Sequence, residues 1–155
     1  MISDIEYRIS DIGFSEIKGA GAYHEKREGL RMGNGAEIQG RLSDFAVRVM
    51  ELRDGLPKTF AGRHIGEQLL RAGTAVAANY AEVRGAESRN DFIHKLGVVR
   101  KEMNESLVWL RLLEQRQLVA DNAVNPLCKQ CDELCRIIAA SRITAERNAR
   151  MERKR

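Results

Sequence analysis

The stretch from Gln68 to Trp109 constrains the fold of this chain more than any other part of the sequence. Two rows of apolar residues at spacings of three and four run through it, one before and one after a short polar segment. Each row lies along one stripe of a helix, which must be buried against neighbouring helices. The first row comprises Ile65, Leu69, Ala72, Val76, Tyr80 and Val83; the second comprises Phe92, Leu96, Val99, Met103, Leu107, Leu110 and Leu113.

The polar segment from Arg84 to Asp91 has the composition of a tight turn between two helices. We expect Gly85 to take the left-handed conformation that closes a helix. Ser88 is a good N-cap, and Asp91 is placed three residues later to reach back to the backbone, as in a capping box. The two rows therefore predict an antiparallel helical hairpin.

A further helix is predicted on each side of the hairpin. The first runs from about Ser43 to about Asp54 and ends because the residue before Pro57 is forced out of helical geometry. Thr59 then caps the second helix, which continues to about Arg84. The sequence thus predicts an all-α protein, an antiparallel up-and-down four-helix bundle with long helices. The stripe of the first helix comprises Leu42, Phe45, Val49, Leu52 and Leu56.

The fourth helix is expected to follow the turn 121–126, with Asp121 or Asn125 as its cap and Pro126 at its first position. The apolar signal thins from Arg142 onward, so the last turns are expected to project beyond the bundle. The stripe of this helix comprises Leu127, Cys131, Leu134, Ile138 and Ala145.

The second helix is unusually rich in glycine and alanine. A glycine inside a helix costs about 0.5–1 kcal/mol relative to alanine, so some other interaction must offset that cost. Gly62, Gly66 and Gly73 lie four and seven residues apart. This spacing favours close approach of a neighbouring helix, within the bundle and against a second subunit.

The runs QLLRAGTAVAANYAE and SRNDFIHKLGVVRKEMNESLVWLRLL resemble the four-helix-bundle proteins encoded by intervening sequences in bacterial 23S rRNA genes, also called the S23 ribosomal protein family. The resemblance extends from about Phe45 to Ala139. One departure is Ala72, where the family usually has serine; both residues are small. The resemblance implies an up-and-down bundle that assembles into a ring-like homopentamer, and it defines no biochemical role.

Residues 1–40 show no sustained period and hold seven of the thirteen glycines. We interpret them as a flexible or irregular N-terminal extension, followed by the bundle at 41–150 and a basic tail at 151–155. The glycine-rich segments lack the Gly-Lys-Ser/Thr ending of a phosphate loop. The sequence has no apolar run of about 20 residues that would span a membrane and no secretion signal, so a cytoplasmic location is expected.

The net charge of +4 is unevenly distributed. Residues 1–40 hold five Lys/Arg and seven Asp/Glu, so the remaining residues carry +6. Residues 136–155 hold seven basic groups and two acidic ones. Such a segment can bind a phosphate backbone, or it can be a solvated helix end whose cations complement the helix dipole.

Cys128, Cys131 and Cys135 share one face of the fourth helix. A structural zinc site needs four ligands, and neither a fourth cysteine nor a paired histidine spacing exists in the sequence. We therefore predict that the three cysteines pack in the core, with no metal and no cofactor. His64 and His94 stand apart from any candidate nucleophile, and the chain is expected not to be an enzyme.

Polar residues border the apolar stripes of the hairpin. Gln68, Arg71, Asn79 and Glu82 lie along its first helix; Lys95, Glu102 and Trp109, beside Arg100 and Lys101, lie along its second. Such flanking positions commonly form ion pairs between helices or subunits. Alternatively, a symmetric assembly would repeat these cations on every subunit and so form a positive surface that binds nucleic acid.

Two functions follow from these observations. The first is a non-enzymatic homo-oligomer, expected to be a pentamer, that binds RNA or DNA through a basic surface. The second is a structural or adaptor oligomer that recruits a protein partner and has no nucleic-acid role. The candidate nucleic-acid contacts are Arg71, Lys95, Arg100, Lys101, Arg142, Arg147 and Arg150, and the candidate oligomer or packing residues are Gly66, Gly73, Asn79, Tyr80 and Trp109.

Overall fold

Four α-helices make up residues 35–154, the part of the chain that the computed structural model describes. They are α1 (Gly35–Asp54), α2 (Phe60–Arg84), α3 (Arg89–Gln115) and α4 (Asp121–Glu152). Each helix packs most extensively on the next in sequence, and a smaller contact between α1 and α4 closes the bundle. The predicted all-α, up-and-down four-helix bundle is confirmed. None of the described helices is long and apolar enough to cross a membrane.

The core is built from the apolar stripes that the sequence predicts. Phe45, Leu69, Leu96 and Leu134 are completely buried, one from each helix. Ile65, Leu107 and Ala145 lie at the margin, half-buried against this core. Antiparallel neighbours joined by loops of four or five residues bring the stripes together without long connections.

The hairpin turn is capped as predicted at α3 but not at α2. The Ser88 hydroxyl accepts a hydrogen bond from the Asp91 N–H at 3.1 Å, and the Asp91 carboxylate accepts one from the Glu87 N–H at 3.1 Å. The prediction of a left-handed Gly85 is wrong, because this residue has φ −92°. Its N–H instead donates to the carbonyls of Ala81 and Glu82, which tightens the last turn without a positive φ.

The predicted start of the first helix is wrong. α1 begins at Gly35, eight residues before Ser43. It therefore starts within residues 1–40, which the sequence assigned to the N-terminal extension. The reason is Ile38, which is only 2% exposed and extends the buried stripe by one turn. The rest of the predicted extension, residues 1–34, lies outside the described residues.

Both predicted ends of the fourth helix are also wrong. α4 begins at Asp121, so Pro126 lies inside the helix and Ala120 is the cap, without a side-chain hydrogen bond. Burial of Val124 explains the early start. The last turns do not project, because Ala149 is 7% exposed and Arg89 of α3 forms a 2.6 Å ion pair with Glu152.

Two glycines of α2 allow the close packing that the sequence predicts, Gly73 against α1 and Gly66 against the loop that follows α1. A Cβ atom at Gly73 would lie 2.8 Å from Cγ1 of Val49, and one at Gly66 would lie 2.9 Å from Cδ1 of Leu56. Both distances are too short for carbon atoms in contact. Gly73 therefore allows α1 to pack closely on α2, and Gly66 leaves room for the Leu56 side chain of the loop between them. The predicted contact with a second subunit stays a prediction.

We expect Gly73→Ala to lower the free energy of unfolding by about 1–3 kcal/mol, because the added methyl group overpacks a site facing a stiff β-branched side chain. Gly66→Ala should cost less, since it meets the far end of the flexible Leu56 side chain. Urea unfolding measures both effects.

Gly40→Ala is the matched control, because a Cβ at Gly40 meets open space. It should stabilise α1 by about 0.5–1 kcal/mol through helix propensity. Equal gains from Gly40→Ala and Gly73→Ala would contradict the close packing of α1 on α2.

Candidate nucleic-acid interface

The seven candidate cations separate onto two sides of the bundle, and those on the outer surface of α2 and α3 are paired with carboxylates. The Arg71 guanidinium pairs with Glu105, and its Nη1 atom lies 3.7 Å from Oε2 of Glu102. The Lys95 ammonium lies 2.7 Å from Oδ2 of Asp91. We call this surface, which carries Arg71, Glu102, Glu105, Asp91 and Lys95, the α2–α3 face. Its polar residues form interhelical and local ion pairs.

An aromatic cluster covers one end of the α2–α3 face. The indole N–H of Trp109 donates to Glu105 at 3.3 Å, and the Trp109 ring meets His64 edge-on with centroids 6.2 Å apart. His64 in turn lies parallel to Phe60, at 6.4 Å. Phe60 is 81% exposed, so the cluster presents an apolar ring to solvent.

A cavity of about 190 Å³ lies near the other end of the same face. It is half-open and lined by Asn79 and Glu82 of α2 and by His94, Lys95 and Val98 of α3. Because Lys95 is already bound to Asp91, the cavity contains a carboxylate, an imidazole and an amide but no unpaired cation. This arrangement does not favour an anionic ligand.

The ion pair of Asp91 and Lys95 shifts the pKa values of both groups. The hydrogen bond from the Lys95 ammonium holds the pKa of Asp91 below its ordinary value, and the Glu87 N–H adds to this effect. The same hydrogen bond raises the pKa of Lys95. Both groups are therefore charged at neutral pH, at the N-terminal end of α3 where a carboxylate is favourable.

The outer surface of α3 and α4, which we call the α3–α4 face, has a different charge pattern. Arg100 and Lys101 are exposed and have no carboxylate partner within residues 35–154. They lie one turn after Gly97, beside which the Arg142 guanidinium crosses from α4, 3.3 Å from the position of an added Cβ. Arg142 also binds Glu146, with Nε and Oε1 2.9 Å apart.

The remaining two candidate cations lie near the C-terminal end of α4. Arg147 and Arg150 are both exposed on its solvent side. Ile143, 63% exposed, lies one turn before Arg147 on the same side. Five of the seven candidates, Arg100, Lys101, Arg142, Arg147 and Arg150, therefore belong to α3 and α4 away from the carboxylates of the α2–α3 face.

The candidate oligomer residues also differ in position. Gly66, Gly73 and Tyr80 are buried within one bundle, whereas Asn79 and Trp109 are half-buried at the α2–α3 face. The sequence prediction missed Val47 and Met50, which are about half exposed on the outer side of α1. The sequence signal that could have found them is their spacing: Val47 and Met50 are apolar residues three apart that do not belong to the buried stripe of α1.

The three cysteines pack in or against the core, as predicted, but to different depths. Cys131 is completely buried, and its Sγ lies 3.3 Å from the Met103 carbonyl oxygen. Cys128 and Cys135 are half-buried and pack against the core at its margin. Within residues 35–154, no group of three or more His, Cys, Asp or Glu side chains is arranged to hold a metal ion.

The comparisons with known proteins agree with this architecture. A family model described as the 23S rRNA-intervening sequence protein matches residues 36–140, from the first turn of α1 into α4. The chain belongs to the 23S rRNA-intervening sequence protein family. The resemblance seen in the sequence is thereby confirmed.

A solved relative shows the same fold. The present chain is similar to the crystal structure of a protein of unknown function from the S23 ribosomal protein family of Bacteroides thetaiotaomicron, with a TM-score of 0.64 and 29% sequence identity. The similarity covers 68% of this chain and 95% of that one. No curated protein matches the chain.

Replacing Asp91 with asparagine is expected to lower the Tm at neutral pH, because it removes the ion pair with Lys95 and weakens the bond to the Glu87 N–H. Since the pKa of Asp91 is lowered by folding, its contribution is present above the ordinary carboxyl pKa and lost as pH falls through the folded-state value. The Tm difference between wild type and Asp91→Asn should therefore vanish in acid.

Asp54→Asn is the control for this titration. The Asp54 carboxylate pairs with Arg53 but is 75% exposed, and exposed ion pairs contribute little. Thermal melts across the acid range compare the two variants with the wild type. A deficit of Asp91→Asn that persists unchanged in acid would contradict the charged pair.

Proposed function

We propose that this chain is a non-enzymatic, cytoplasmic homo-oligomer, without a cofactor, that binds RNA or DNA through the α3–α4 face. The supporting observation is the exposed pair Arg100 and Lys101, which has no carboxylate partner among the described residues and lies one turn after Gly97, beside which Arg142 crosses from α4. Such cations bind phosphate oxygens and release the counterions condensed on a nucleic acid. Arg147 and Arg150 extend the same charge toward the end of α4.

The α2–α3 face fits this role less well. A phosphate group at Arg71 would have to displace Glu105 and would also approach Glu102, which is only 12% exposed. At Lys95 it would have to displace Asp91. Each displacement leaves a carboxylate near the incoming phosphate, so repulsion opposes binding. The proposal therefore leaves out Arg71 and Lys95 as nucleic-acid contacts.

Self-association is part of the proposal, because two or three cations on one bundle form only a small binding surface. In a symmetric assembly every copy repeats the same face. The family resemblance implies five subunits, and exposed apolar side chains support an interface: Phe60, Val47 and Met50 are between about half and four-fifths exposed. Burying such side chains in a subunit contact would remove apolar surface from water.

The alternative function is a structural or adaptor oligomer that recruits a protein. The aromatic cluster of Phe60, His64 and Trp109 favours this alternative, since aromatic side chains are enriched in protein interfaces. Recovery of one specific protein after nuclease treatment, together with no affinity for nucleic acid, is the result expected for an adaptor.

The double variant Arg100→Gln/Lys101→Gln is expected to bind single-stranded RNA or double-stranded DNA more weakly than the wild type. Each phosphate contact removed should lower the slope of log K against log salt by about one. Fluorescence anisotropy at several salt concentrations measures both the affinity and the slope.

The matched control is Arg71→Gln/Lys95→Gln, which removes the same formal charge from the α2–α3 face. It should leave the salt slope unchanged. Equal losses in the two double variants would exclude the α3–α4 face as the specific site, and no binding at low salt would exclude the nucleic-acid function.

Light scattering on the purified full chain tests the assembly. We expect the mass of a homo-oligomer, with five subunits as the value that the family resemblance implies. Phe60→Ser or Met50→Ser should lower that mass if the corresponding apolar surface forms the contact. A monomer at all concentrations would contradict the proposed assembly.

A further inference from the structure

The last turns of α4 extend past the start of α1. In the antiparallel pair of α1 and α4, the Arg41 guanidinium binds the Glu133 carboxylate at 2.7 Å. Gly35 lies six residues before Arg41, so the start of α1 is level with about residue 139 of α4. From there α4 continues to Glu152, which is about 20 Å further at about 1.5 Å per residue. This stretch of α4 therefore has α3 beside it but lies beyond the start of α1.

The outer side of this stretch carries large apolar and basic side chains. On its inner side the stretch is held to α3, because Arg142 lies beside Gly97 and Glu152 pairs with Arg89. On its outer side, four exposed residues recur at helical spacing. We call them the α4 end stripe: Ile143, Arg147, Arg150 and Met151. Its two apolar members are 63% and 59% exposed, respectively. Exposed apolar side chains between cations fit a partner that is both apolar and acidic.

The sequence of residues 1–17, which lie outside the described part of the chain, has the complementary pattern. Isoleucines recur in it at spacings of three and four, as along one stripe of a helix. Four carboxylates against one arginine, Arg8, give the segment a net charge of −3. The isoleucines are Ile2, Ile5, Ile9 and Ile12, and the carboxylates are Asp4, Glu6, Asp11 and Glu16.

We propose that residues 1–17 dock on the α4 end stripe of the same chain. The isoleucines contact Ile143 and Met151, which removes apolar surface of both segments from water. The carboxylates face Arg147 and Arg150, so opposite charges meet at the edges of the contact. The inference depends neither on nucleic-acid binding nor on self-association.

The range of the family match supports this pairing. The family model matches residues 36–140. Residue 36 is in the first turn of α1 and residue 140 is level with it on α4, so the match begins and ends at the same end of the bundle. The two segments outside the match, 1–35 and 141–155, are therefore attached to the family fold next to each other.

The connection to α1 is long enough for this contact. Residues 18–34 can span at most about 55 Å, at about 3.3 Å per residue, which exceeds the length of the α4 end stripe. Because the segment is tethered, its effective concentration at the stripe is on the order of millimolar, and a small contact is enough to hold it. The exposed ring of Phe60 is a less favourable target, since it lies at the opposite end of the bundle, where α2 begins.

The docked segment also changes which cations are open to a nucleic acid. It covers Arg147 and Arg150, at the end of α4, with its own carboxylates. Arg100 and Lys101 lie further along the bundle on α3 and stay exposed. The α3–α4 face therefore keeps the pair of cations on which the proposed function rests.

Photocrosslinking of the full chain tests the position of the segment. The photoreactive amino acid p-benzoylphenylalanine in place of Tyr7 keeps an aromatic ring within the segment, and peptide mass spectrometry identifies the residues it joins. We expect crosslinks to residues 141–154. Crosslinks to the end of the bundle that carries Phe60 would overturn the proposal. In a mixture of isotope-labelled and unlabelled chains, crosslinks mainly between different copies would also overturn it, in favour of a second copy as the occupant.

Oxidation of methionine by hydrogen peroxide tests the contact itself. Ile5→Ser/Ile9→Ser should release the segment, and oxidation of Met151 should then rise on the order of threefold, because the thioether becomes accessible. Met50, which is 49% exposed on α1, is the internal control and should keep its rate.

The conservative variant Ile5→Leu/Ile9→Leu keeps the apolar volume and should leave Met151 protected. Circular dichroism checks that the four helices are retained in both variants. An unchanged rate at Met151 in the serine variant, an equal rise at Met50, or the same loss of protection in the leucine variant would each contradict docking of the isoleucines on the α4 end stripe.

Discussion

Burial of the apolar stripes of α2 and α3 against each other is the interaction on which the remaining structure depends. Leu69, Leu96 and Leu110 are completely buried. The four-residue loop between α2 and α3 joins two helices whose apolar stripes must be buried against each other. α1 then packs on α2 at Gly73, and α4 packs on α3. This order leaves two outer surfaces with α3 in common, the α2–α3 face and the α3–α4 face, and each takes its polar residues from a different side of that helix.

The two faces differ in whether all of their cations are paired with carboxylates. On the α2–α3 face the long basic side chains meet carboxylates from the neighbouring helix or the preceding turn, so their charge serves the fold. On the α3–α4 face, Arg136 and Arg142 are also paired, with Asp132 and Glu146, but Arg100 and Lys101 meet no carboxylate among the residues that the structure describes. The proposed nucleic-acid binding depends on this difference.

The sequence predicted the helix number, the order, the Thr59 and Ser88 caps and most of the core, because a period near 3.6 is a strong signal in long amphipathic helices. It failed at the start of α1 and at both ends of α4. Ile38 and Val124 extend the buried stripe at the two starts. At the end of α4 the stripe continues through Ser141, Thr144 and Ala149, whose small or polar side chains are buried although their hydrophobicity is low. The limits of these helices depend on how neighbouring helices bury each residue, which a hydrophobicity scale does not describe.

The candidate site was predicted as a set of residues and not as a surface. Arg71 and Arg100 are equivalent in the sequence, since each is a basic residue beside an apolar stripe. The sequence by itself determined which side chains lie outside the core, because burial follows from the periodicity of a single helix. Only the tertiary structure decided which of those cations are neutralised and which cysteines are accessible, because ion pairing and accessibility depend on the side chains that a neighbouring helix brings into contact.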